Sequence, residues 1–183
     1  MTELHVRTTA PLQLQLRDDG DGRTLHGPLL PWGVEARILD RGRLVVETFE
    51  RGALHGTDPA RVPLTATHPR DAGTLPIGVT LEIDDRSDAA YGSWRVSDTH
   101  LGNEVLALAR DRVPLGLSVG FAEIPGGSRW SPDRSRVTRT RAALDHVAIV
   151  RVPAYAGAGV VGVRSGDGGR PALALLTLAR RRG

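Results

Sequence analysis

The sequence predicts a mainly β protein with a few helices, arranged as a barrel or a sandwich. Short apolar runs of strand length recur along it, and 22 glycines and 12 prolines among 183 residues punctuate those runs into a dense series of turns. Only one stretch carries a clear helical period. Near the N-terminus, Leu12, Leu14 and Leu16 alternate with glutamines, the period of a strand with one solvated face at a sheet edge. The run Asp18 to Arg23, DDGDGR, then reads as a turn. From Leu30 to about Arg164, strands are expected at Gly33–Leu39, Arg43–Phe49, Pro63–Thr67, Ile77–Ile83, Tyr91–Ser97, Leu115–Ile124, Arg136–Arg141 and Leu144–Val152. The helix is expected between Asp98 and Arg112, capped by Asp98, with Leu101, Val105, Leu108 and Ala109 on one face. After Arg164, SGDGGRP reads as a linker, and ALALLTLARRR as a short helix with Pro171 near its first turn. The expected division is an N-terminal extension over 1–27, a β domain over 28–165 and a flexible or processed tail over 166–183.

Composition narrows the function classes. Cysteine is absent, which excludes disulfides, thiolate metal sites and a cysteine nucleophile. All the positive charge is arginine, because the chain has no lysine. That lifts the isoelectric point to about 10.4 while the net charge is only +3, so the value reflects arginine's high pKa rather than a basic surface. Nucleic-acid binding is not expected. No apolar stretch of signal-peptide or membrane-spanning length occurs, so a soluble, unexported protein is expected. Asp84, Asp85 and Asp88 lack the spacing of a calcium loop and read as a turn between strands, and no H-E-x-x-H motif occurs. No metal or cofactor is expected.

One strand stands apart. In Leu115-Gly-Leu-Ser-Val-Gly-Phe121, strand alternation sends Leu115, Leu117, Val119 and Phe121 to one side. Gly116, Ser118, Gly120 and Ala122 go to the other, a single hydroxyl among small residues. Glycine weakens a strand unless something must approach its backbone closely, and a substrate chain beside the serine would be such a thing. A crowded interior that admits only Ser and Gly is the other reading, and spacing alone leaves both open. Gly116 to Gly120 also matches the G-x-S-x-G elbow, but that motif needs a helix directly after the serine. Phe121-Ala-Glu-Ile-Pro-Gly-Gly127 leaves no room for one. An alkyl hydroxyl needs a general base, and histidine suits the task. His5 and His26 are expected in tails or loops, His55 in a turn, and His100 solvated on the helix. His68 ends the apolar run Val62–Thr67 where Pro69 breaks the chain, a place where a side chain is held yet open to a cleft.

The order of several segments resembles the phage HK97-type prohead protease family. The pieces are Pro31-Trp-Gly33, Glu47-Thr-Phe-Glu-Arg-Gly-Ala-Leu54, Ala66-Thr-His-Pro-Arg70, Ile77-Gly78, Gly116-Leu-Ser-Val-Gly-Phe121, and Leu144-Asp-His-Val-Ala-Ile-Val150 with Pro153-Ala-Tyr155. The resemblance covers about residues 28 to 164. The family is similar to herpesvirus assembly proteases, which implies a β-barrel serine peptidase with catalytic order His, Ser, His. The resemblance implies His68 as general base, Ser118 as nucleophile and His146 as third member. Asp145 is the competitor for that last role: neighbours in a strand face opposite ways, and only one can reach His68. His146 shares its face with the small Ala148, which favours it. The oxyanion hole is expected among residues 151–159. The resemblance further implies cleavage of the scaffolding segment of the major capsid protein, and of the enzyme itself, inside an assembling procapsid in the host cytoplasm, by a homodimer. A non-catalytic capsid-assembly scaffold or interaction module of the same fold is the alternative.

Overall fold

The turn-rich apolar runs do become strands. In the computed structural model, residues 4–8, 15–17, 21–40, 42–67 and 75–150 are described. Among them the elements run β1 (Leu4–Thr8), β2 (Gln15–Arg17), β3 (Thr24–Pro31), β4 (Ala36–Asp40), β5 (Arg43–Phe49), β6 (Pro63–Thr65), β7 (Gly78–Asp85), β8 (Ala89–Val96), α1 (His100–Arg110), β9 (Gly116–Glu123), β10 (Ser128–Trp130), β11 (Arg136–Arg139) and β12 (Ala142–Val150). A one-turn 3-10 helix, Pro59–Arg61, precedes β6. Eight strands form one curled half-barrel sheet in the order β1-β9-β12-β6-β7-β8-β3-β2, and four form a second sheet, β10-β11-β5-β4. The mainly β expectation holds. Leu25, Leu64, Trp94, Leu117, Val119 and Phe121 fill the main core, with Val105 and Leu106 added by α1.

The N-terminal alternation marks a real edge: β2 closes one side of the large sheet and β1 the other. Strand β3 is not apparent in the sequence, because Pro28 and Pro31 interrupt it. Its partner β2 pairs only with Thr24–His26, so the edge beside Pro28 is unpaired by β2 and needs no N–H there. A register shift against β8 between Pro28 and Leu30 absorbs the break. The short strand β10 is likewise unannounced. Leu12 and Leu14, the segment 68–74, the 165–171 linker and the apolar run after it lie outside the described residues.

The helix is rotated from its expected setting. Thr99, not Asp98, is the cap: its Oγ1 accepts from the Gly102 N–H at 3.1 Å, while Asp98 accepts from Asn103 at 3.0 Å. Gly102, Val105, Leu106 and Ala109 face the protein, and Leu101 and Leu108 remain 45% and 40% exposed. The cause is contact at Gly102. A side chain there would strike the Ser97 carbonyl and come within 3.0 Å of Val96 Cγ1, so the helix turns its glycine, rather than Leu101, toward the chain that precedes it.

A buried arginine ties the two sheets together. Arg139 on β11 and Glu47 on β5 are both fully buried, and Arg139 Nε donates to Glu47 Oε1 at 2.7 Å. Arg139 Nη1 donates to Ser128 Oγ at 2.9 Å and pairs with Glu123 at the end of β9. The guanidinium also lies over the Phe121 and Trp130 rings at 5.6 and 5.7 Å. Removing the sole partner of a buried charge costs ~3–5 kcal/mol. Arg139 keeps Glu123 when Glu47 is lost, so Glu47→Ala should cost less than that, seen as a lower urea midpoint at unchanged m-value. Arg129→Ala, which breaks the exposed 2.9 Å pair with Glu50, should leave the midpoint close to wild type in the same assay.

Candidate active site

Strand pairing assembles the site. Strand β9 lies antiparallel to β12, with Ser118 opposite Ala148, Val119 opposite Val147 and Gly120 opposite His146. On its other side β9 pairs with β1, which places Thr8 beside Ser118. Strand β6 runs parallel to β12 and sets Thr65 beside Ala148. One row therefore crosses four strands through Thr8, Ser118, Ala148 and Thr65. The two-residue period puts Ser118, Gly120, His146 and Ala148 on one face, while Leu117, Val119, Phe121 and Val147 point into the core. Both Ser118, at 0% exposure, and His146, at 1%, are enclosed.

Gly120 explains why this strand is rich in glycine. A methyl group at residue 120 would lie 2.8 Å from His146 Nε2 and closer still to Nδ1 and Cε1. What approaches the backbone there is an imidazole of the same chain, where the sequence suggested a substrate. The spacing of Gly120 from Ser118 marks the place; nothing short of the register of β12 identifies the visitor.

Asp145 and His146, the two competitors for the third position, are hydrogen-bond neighbours. The register of β12 shifts between Leu144 and His146, so Asp145 is the extra residue of a bulge. Its side chain is half exposed, yet Oδ2 lies 2.8 Å from His146 Nδ1. A carboxylate only accepts, so Nδ1 carries the proton and the carboxylate fixes the ring's tautomer. The rule that adjacent strand residues diverge fails here because a bulge re-aims a side chain.

His68 lies outside the described residues, as does the 151–159 segment where the oxyanion hole was expected. His5 and His26 are strand residues of β1 and β3, not tail or loop residues: the sheet recruits the N-terminal segment that polarity alone marked as loose. His55 sits exposed in a turn, and His100 is solvated, with Glu104 at 3.4 Å. Asp84 and Asp85 close β7 and Asp88 lies in the turn to β8, where Arg86 pairs with Asp84 at 2.8 Å and Arg51 with Asp85 at 3.3 Å. The elbow is absent: β9 continues past Ser118 to Glu123 and then turns at Ile124–Gly127.

This geometry meets its relatives at the level of the whole domain. Residues 11–167 match the family described as caudovirus prohead serine protease. The chain belongs to that family. That membership gives this chain the role of a capsid-maturation protease. Its fold is similar to that of the bacteriophage T4 capsid assembly protease, with a TM-score of 0.51 and 15% identity over 82% of this chain and 98% of the other. Among curated proteins there is no match. No helix among the prohead protease's described residues is long and apolar enough to cross a membrane.

Gly120→Ala should displace His146 from its seat. The expected outcome is ~1–3 kcal/mol of destabilisation in urea unfolding, the usual cost of an overpacked core. An unchanged midpoint would show that the ring yields to a methyl group at residue 120 without cost.

Proposed function

We propose that this prohead protease is a serine endopeptidase in which Ser118 is the nucleophile, His68 the general base and His146 the third member, with Asp145 holding His146. The observation that carries the reading is the shared face of Ser118, Gly120 and His146 on paired strands. Chain connectivity supports the place of His68: it follows Thr65 by three residues, a reach of at most about 11 Å. Thr65 itself stands in the row that crosses Ser118.

The chemistry then follows the general scheme for hydroxyl nucleophiles. Ser118 Oγ attacks the carbonyl carbon of the scissile peptide bond as His68 takes the hydroxyl proton. His68 returns that proton to the leaving amine, the C–N bond breaks, and an acyl-enzyme remains. Water attacks the ester with His68 again as base, which releases the new carboxylate and restores Ser118. His146, protonated at Nδ1 toward Asp145, offers its other nitrogen as an acceptor that orients the base. A neutral imidazole stabilises the transient imidazolium less than a carboxylate would, and Asp145 offsets part of that weakness through the ring.

The substrate in this reading is the scaffolding segment of the major capsid protein, together with the enzyme's own ends, including the tail over 166–183. Cleavage takes place within the procapsid in the host cytoplasm, and the working enzyme is a homodimer. Ser118→Ala should abolish cleavage of capsid protein and labelling by a fluorophosphonate probe while leaving the circular dichroism spectrum unchanged. Cleavage retained by that variant would remove Ser118 from the mechanism, and a wild-type protein that neither cleaves nor labels when assembled would instead be the non-catalytic scaffold. Asp145→Asn should lower kcat about tenfold or more with little change in KM, matching ~1.5–3 kcal/mol for a hydrogen bond to a charged group. An unchanged kcat would limit Asp145 to a surface role.

A further inference from the structure

Beside Asp145 the molecule has a second feature that the hydrolytic residues do not use. A cleft of about 390 Å³ opens between β12, at Ala142 to Asp145, and the chain that leads into β6, at His55 to Arg61. Asp145 is therefore both a wall of this cleft and the hydrogen-bond partner of His146. The cleft exists because β6 is short: it pairs with β12 only at Val147 and Ala148, so the edge of β12 from 142 to 145 has no strand beside it among the described residues.

Part of that edge is taken by Ala53, and Leu144 supplies the rest. The Ala142 N–H donates to the Ala53 carbonyl at 2.8 Å, so it points away from β9. Strand alternation turns the N–H and C=O of Leu144 to the same side, where Leu144 lines the cleft. Ala143 and Asp145 are exposed there, and Arg61 stands on the facing wall. A strand edge with no strand beside it and a small side chain nearby is a recognition surface for an extended peptide: main-chain bonds hold the chain, and the depression takes alternate side chains.

We infer that this cleft is a remote substrate subsite, taking an extended segment of the substrate polypeptide that pairs with Leu144 and lays one apolar side chain against Ala143. The inference rests on the reading of Ser118 as nucleophile. Position follows from register. Ala143 pairs with Ala122, which is four residues along β9 from Ser118. At about 3.3 Å per residue that is roughly 13 Å, so the occupant of the cleft is a substrate residue about four positions from the bond that is cut.

The test fills the cleft without touching the nucleophile. Ala143→Trp, at an exposed position, should reduce kcat/KM on capsid protein or a long peptide at least about tenfold. The rate at which a small fluorophosphonate labels Ser118 should stay at its wild-type value. Arg61→Trp, on the opposite wall and outside the strand, should have the same two effects. Shortening a peptide substrate so that it ends within three residues of the cut should cost wild-type enzyme about as much, and cost Ala143→Trp nothing further. Unimpaired cleavage by both filled variants would overturn the inference, and so would loss of labelling along with cleavage, since that would mean the wall supports the site rather than the substrate. Failure of wild-type enzyme to label at Ser118 would sink the active-site reading first, and is distinguished by the unsubstituted control.

Discussion

Main-chain pairing between β9 and β12 is the constraint from which the site is built. Neither Ser118 nor His146 is placed by a loop; each is held by a ladder whose rungs fix position along the strand and whose pleat fixes the side to which a side chain points. Shifting that ladder by one residue would send the hydroxyl into the core and Leu117 or Val119 onto the site face. The apolar row Leu117, Val119, Phe121 and Val147 resists that slip, because those side chains are buried and have nowhere else to go. Packing on one face thus sets the chemistry on the other.

The second sheet supports this arrangement from the far end of β9. Arg139 reaches Glu123 while bonded to Glu47 and Ser128, so the strand that carries the serine is clamped at its C-terminal end by charge held out of water. Arginine suits the place better than lysine would: its planar fork serves several acceptors at once and stacks on Phe121 and Trp130. In a chain without lysine, arginine fills this internal post as well as the surface ones.

Much of the fold is legible in the sequence, and the misses have physical causes. The runs around Val45, Leu117 and Val147 declare themselves as strands because each is a short apolar run bounded by turn residues. Strand β3 hides because the sequence penalty for proline assumes a neighbour on both edges, and β2 leaves the edge beside Pro28 unpaired. The helix face is misread by one residue because leucine outweighs glycine in any hydrophobic count, while steric access at Gly102 decides the rotation. At the site, Ser118 stands out in the chain itself, and His146 comes from the resemblance. The link between Asp145 and His146 cannot, since a bulge is a property of two strands in register and one strand read alone does not contain it. His5 and His26 are lost to the same cause: polarity marks them as peripheral, and only long-range pairing recruits them.

The seat of His146 on Gly120 bears on how the enzyme spends its conformational freedom. An imidazole on an open surface samples several rotamers and both neutral tautomers, and each turnover would have to select one. Here the main chain beneath and the carboxylate alongside leave the ring a single pose. In the proposed mechanism the ordering entropy is then met once, when the chain folds, and not again at the barrier.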